Sequence, residues 1–176
     1  MPPPPGQDVK LLVEEVIPRF TSVGFILEFR LEDGRTFRLY SIPAEVASAV
    51  NKMRSGESYE IYINRESVFD ALVDLRDLLR ELLDRIVRVV INEFDYDTGL
   101  YTAEIEFDLG GILLRKKMIP SHAVYLALLA NKPIYVSKRL VDEQEKFEYY
   151  ERLREAGFLD EEEEEGEGEE SEEDEF

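Results

Sequence analysis

The sequence holds one histidine, His122, and no cysteine. An imidazole is the side chain that changes charge near neutrality without help from its surroundings. His122 follows Ile119-Pro120-Ser121, a pattern that predicts a helix start, so it falls in a first turn beside the Ser121 hydroxyl. There it can serve as a general base, or touch phosphate or a metal at a helix N-terminus. It can equally be an exposed first-turn residue. Glu45 stands at the matching place in an earlier copy of the pattern, Ser41-Ile42-Pro43-Ala44-Glu45-Val46. Brought together across a twofold axis, Glu45 and His122 make a carboxylate–imidazole pair. Left apart, Glu45 is an acidic residue favoured by the helix dipole. His122, Glu45 and Ser121 are therefore the catalytic candidates.

Two further clusters carry charge. Asp70, Asp74, Asp77, Glu81 and Asp84 lie along the polar side of a predicted helix, and carboxylates at that spacing can converge on divalent cations. Arg76, Arg80 and Arg85 interleave with them, which predicts a solvated ion-pair face instead. No His-rich or Cys-rich metal spacing occurs, so no metal ligand is assigned. Arg115-Lys116-Lys117 is the densest basic run. It suits a phosphate backbone, and it suits equally an edge strand guarded by charge. The tyrosines and phenylalanines are mostly at strand spacing and read as core or sheet surface. Glycine-rich phosphate loops and serine-nucleophile elbows are absent from the sequence.

What positions these residues is a plan that occurs twice. Residues 9–17, 23–31 and 35–42 read as strands, with Glu32-Asp33-Gly34 as a hairpin turn. A helix over 43–53 ends at Ser55-Gly56, and 59–63 reads as a short strand. The longest helix is predicted over 64–84, with Val68, Leu72, Leu75, Leu79, Leu82 and Ile86 as one buried stripe that Leu78 and Leu83 widen. Glu81–Arg85 and Asp84–Arg88 are expected as i,i+4 pairs on it. Strands over 86–94, 100–108 and 112–119, a helix over 120–130, a strand over 134–136 and a helix over 140–156 follow. That last helix has Val141, Phe147, Tyr150 and Leu153 on its apolar side. The expected fold class is α+β: a duplicated strand-strand-strand-helix-strand-helix unit, residues 9–84 and 86–157, in two halves around a pseudo-twofold.

Composition narrows the partners. The net charge is −19, but 13 of the 40 acidic residues crowd into 160–176, leaving 27 acidic against 21 basic residues elsewhere. The remainder has no global basic field for nucleic acid, though a local patch remains open. No apolar run approaches a membrane span, and residues 1–5 are a proline run rather than a signal peptide. A cytoplasmic location is expected. Residues 1–8 and 160–176 are expected to be disordered, being proline-rich and acidic low-complexity segments respectively.

From about residue 9 to 141 the chain resembles the bifunctional nuclease domain. Ile119-Pro120-Ser121-His122-Ala123-Val124, then Ala127, Pro133, Ile134 and Val136, are similar to that family's Arg-Pro-Ser-Asp-Ala-Ile segment, alanine-rich helix and Pro-Ile-Tyr-Val strand. Pro43-Ala44-Glu45 resembles its first-half Pro-x-Glu-Ala segment. The resemblance implies an α+β domain, a homodimer, and hydrolysis of RNA or DNA phosphodiesters, with Mg2+ or Mn2+ as the expected cofactor. Ile119 replaces the family's arginine and His122 its aspartate. That departure supports a second reading, a non-catalytic interaction or scaffold protein that kept the fold.

Overall fold

Alternating apolar side chains set up the first meander. In the computed structural model, which describes residues 7–62 and 64–159, β1 (Lys10–Thr21), β2 (Gly24–Leu31) and β3 (Thr36–Leu39) pair antiparallel in sequence. Leu27, Phe29, Leu31, Phe37 and Leu39 turn to one face and are buried. Glu28 turns to the other, between Arg19 at 3.3 Å and Arg38 at 3.4 Å. Gly34 closes the β2–β3 hairpin with φ of 85°, a conformation that costs glycine nothing. β1 continues through Pro18, past the expected end. Only Lys10–Leu12 pair with the strand on its other side, so Pro18 sits where that edge is open and a missing N–H breaks no ladder.

The second meander is β4 (Ile86–Asp95), β5 (Leu100–Asp108) and β6 (Leu113–Met118). Its turns are fixed by aspartates. The Asp108 carboxylate accepts from the N–H of Gly111 at 2.9 Å and of Gly110 at 3.0 Å, and these bonds hold its pKa below the ordinary value. β7 (Ile134–Ser137) joins the two meanders, antiparallel to β1 and parallel to β4. The result is one seven-stranded sheet in the order β3-β2-β1-β7-β4-β5-β6. Helices α1 (Ala44–Ser55) and α4 (Pro120–Ala130) cover its apolar face. Val89, Ile91, Ala103 and Ile105 lie beneath them at 0% exposure, so this face is the core. The α+β class and both proline-entered helices agree with the sequence reading.

Four expectations need correction. Residues 59–62 are not a strand. β7 occupies the place between β1 and β4 that a matching strand from the first half would take by symmetry. Tyr59 instead donates its N–H to Ser48 Oγ at 2.9 Å.

The long helix is also broken. Only α2 (Val68–Asp74) and α3 (Arg80–Leu83) are helical, joined by turns in which Leu78 N–H reaches Leu75 carbonyl at 2.9 Å. The single stripe therefore splits. Leu72, Leu79, Leu83 and Ile86 pack in the core, while Leu75, Leu78 and Leu82 are 46%, 83% and 63% exposed. With α3 ending at Leu83, the pairs Glu81–Arg85 and Asp84–Arg88 do not form; Arg80 pairs with Asp77 at 2.8 Å and Arg88 approaches Glu106 at 3.8 Å.

The chain divides into two compact units, to Val141 and from Asp142. α5 (Lys138–Glu155) begins in the first, where Leu140 and Val141 are buried. The second unit contains the rest of α5 and a terminal turn closed by Phe158 N–H on Leu153 carbonyl at 3.0 Å. Phe147 and Tyr150, expected on an apolar side, are exposed, and Lys146 sits 5.8 Å over the Tyr150 ring. The expectations for residues 1–6 and 160–176 lie outside the described residues. Of residues 7–8, Asp8 accepts a hydrogen bond from Ser137 Oγ at 2.7 Å.

Candidate functional site

Both candidate helices start the same way. Extended backbone at Pro43 and at Ile119 precedes the first turn, and their carbonyls accept the first intrahelical bonds: Val46 N–H on Pro43 at 3.0 Å, and His122 N–H on Ile119 at 3.1 Å. Neither start has a side-chain cap. Ser121 is buried at 3% exposure, and its hydroxyl makes no hydrogen bond to His122. Glu45 and His122 are both partly exposed on the first turns.

The element that links these two starts is α2. Ser67 caps it, accepting from Asp70 N–H at 3.2 Å, and the buried Asp70 carboxylate accepts in return from Ser67 Oγ and Ser58 Oγ, each at 3.4 Å. Lys52 of α1 donates to Asp74 at 2.8 Å and to the Asp70 carbonyl at 3.4 Å, which ties α1 to α2. Its bond to Asp74 raises the Lys52 pKa. Phe69 is thereby held in place. Its ring meets the Tyr125 ring edge-on at 5.1 Å and the His122 ring at 5.5 Å. Its carbonyl accepts the Tyr125 hydroxyl at 2.6 Å. Burial, then the nearby Asp70 charge, pushes the Tyr125 pKa up to about 12.

On its other flank Phe69 lines a cleft of about 230 Å³ together with Glu45, Tyr62, Arg65 and Glu66. Phe69 is thus the neighbour common to Glu45 and His122, although no hydrogen bond or ion pair joins those two directly. A larger cleft of about 780 Å³ lies between the C-terminal turns of α1 and α4 and contains none of the catalytic candidates. Its Arg54 and Arg80 are already occupied by Glu15 and Asp77, each at 2.8 Å. The smaller cleft is the better candidate because it brings a carboxylate with no partner among the described residues beside the histidine's own packing partner.

The other predicted groups are placed as follows. Asp70, Asp74 and Asp77 are engaged in the cap and in ion pairs. Among the described residues no group of three or more His, Cys, Asp or Glu converges on a point that would hold a metal. The donor set does not fit a cation held by protein groups alone. Arg115 and Lys117 point to the face opposite the helices and are held by carboxylates, Arg115 by Glu106 at 3.0 Å and Lys117 by Glu93 at 2.7 Å. Lys116 points to the other face and is exposed.

Ser67-x-x-Asp70 was a legible helix-start signal in the sequence. Tyr62, Arg65, Phe69 and Tyr125 carried no such signal, because their roles depend on contacts across the fold.

The family model of the bifunctional nuclease domain matches residues 55–148, just over half of the 176 residues. The chain belongs to the bifunctional nuclease domain family. The match takes in Tyr62, Arg65, Phe69, Ser121 and His122, and it leaves Glu45 outside. No curated protein matches the chain.

Proposed function

We propose that the protein hydrolyses phosphodiester bonds of RNA or DNA at the surface framed by Glu45, Phe69 and His122. Membership of the bifunctional nuclease domain family supports the reaction class. The observation that carries the location is Phe69 packing on the His122 ring while lining the cleft that holds Glu45. In hydrolysis a water oxygen bonds to phosphorus as its proton passes to a base. The bond from phosphorus to the sugar oxygen breaks, and that oxygen takes up a proton. Imidazole and carboxylate side chains are the types that perform such transfers. Ser121 belongs to the proposal only as the buried residue that seats His122. Mg2+ or Mn2+ enters as a condition of the assay, and no step is routed through it.

The homodimer and a cytoplasmic location belong to the same proposal. Leu75, Leu78 and Leu82 support a self-contact, because three large apolar side chains stand exposed within eight residues of the α2–α3 segment. No helix among the described residues is long and apolar enough to cross a membrane.

A second reading, a non-catalytic interaction protein, is favoured by a specific observation. The acidic residues at 70, 74 and 77 are committed to structural bonds, and Ile119 and His122 replace the polar residues of the family pattern. The discriminating experiment is incubation of purified protein with single-stranded RNA and DNA, with Mg2+ or Mn2+. Cleavage lost in His122→Ala and in Glu45→Ala supports the enzyme. No cleavage, or cleavage indifferent to both changes, supports the interaction protein.

A further inference from the structure

We propose that Tyr62 and Arg65 form a stacking subsite for one base of a single-stranded nucleic acid. This rests on the nuclease reading for its substrate and adds the contact that selects the strand. Tyr62 is 39% exposed at the mouth of the Glu45–Phe69 cleft. The Arg65 guanidinium lies 5.4 Å from the centre of its ring. The guanidinium holds the exposed ring in place at the cleft, and a ring so held is a platform on which a flat, polarisable nucleobase can stack.

The charges at the cleft fit the same occupant. Glu66 is approached by Lys52 at 3.9 Å. Among the described residues Arg65 makes no ion pair, which leaves its charge available to a phosphate. Glu45 is likewise without an ion pair or side-chain hydrogen bond among the described residues. A base on Tyr62 thus sets the adjoining phosphate between Arg65 and the Glu45 side of the cleft.

The volume sets the size of the ligand. About 230 Å³ is below the range of pockets that enclose a whole cofactor or drug-sized molecule. It has room for a single base, not for a base pair. Stacking also needs a free base face, which a duplex does not offer. The subsite therefore selects unpaired strands.

The test is fluorescence anisotropy of labelled single-stranded RNA and DNA, and of a duplex of the same sequence, bound to the full chain in EDTA. Cleavage is followed in parallel with Mg2+ or Mn2+. Tyr62→Ala is expected to weaken single-strand binding about fivefold or more, and Tyr62→Phe to retain it. Arg65→Ala is expected to lower the slope of log affinity against log salt by about one. Tyr62→Ala binding as tightly as the parent overturns the subsite, and so does a duplex binding as tightly as the single strand. Cleavage that needs His122 and Glu45 but ignores Tyr62 overturns the subsite alone. Binding that needs Tyr62 without any cleavage upholds the subsite and removes the nuclease reading.

Discussion

The Tyr125 hydroxyl donates a 2.6 Å hydrogen bond to the carbonyl of Phe69, 56 positions earlier in the chain. This bond locks α2 onto α4 and fixes the ring that His122 packs against. Tyr125→Phe keeps the ring contact and leaves the Phe69 carbonyl without its donor. It should cost about 1–2 kcal/mol in urea unfolding. The pH dependence has a definite sign. The folded Tyr125 holds its proton to about 12, above its ordinary 10, so the unfolded chain releases that proton first. Stability from this group is complete below pH 10 and is lost as pH rises through about 12. Unfolding measured across that window should fall more steeply for the parent than for Tyr125→Phe.

Lys52 is the charged tie between α1 and α2. Its side chain is only 16% exposed while it contacts Asp74. Lys52→Met keeps most of the apolar stem and removes the charge. A loss of about 1–2 kcal/mol is expected at neutral pH. The Lys52 pKa is raised by the Asp74 bond, so its contribution is complete below the ordinary lysine value. It fades as pH passes the folded one. Matched urea titrations of parent and variant check this.

Leu78 is the most exposed of the three leucines that escaped the predicted stripe. Leu78→Glu buries nothing new and should leave unfolding of the monomer within about 0.5 kcal/mol. Under the homodimer proposal it should shift sedimentation equilibrium from dimer to monomer. A parent that sediments as a monomer, or a variant that stays dimeric, contradicts the leucine contact.

Arg115 faces Glu106, whose side chain is 8% exposed. Arg115→Ala leaves that carboxylate with Arg88 at 3.8 Å and should cost about 1–2 kcal/mol of stability. The salt slope of oligonucleotide binding should stay unchanged, because the guanidinium is already committed. A lowered slope would return the basic run to the nucleic-acid interface.

Much of this fold could be read locally. The strand over 100–108 and the helix over 120–130 appear with the predicted bounds, because their alternation, turn residues and proline entry all act within a few positions. What failed depended on neighbours. Residues 59–62 have strand composition, but β7 fills the place that symmetry would give them. The leucines at 75, 78 and 82 have helical spacing, yet the turn before α3 sends them outward. The site shows the same division. His122 and Glu45 were found from residue type and the repeated Ile-Pro entry. Tyr62 reads from the sequence as a strand residue, and the role of Phe69 comes only from its contacts with Tyr125 and His122.

The central claim is that the first turns of α1 and α4 frame a phosphodiester-cleaving surface. The most direct measurement is the rate of single-strand cleavage by the full chain, compared with Glu45→Gln and His122→Gln in the same preparation. The account predicts a divalent-ion-supported rate that falls by about 100-fold or more in each variant, while both retain the parent's melting transition. Equal rates in all three proteins, or no cleavage by the parent, would contradict it.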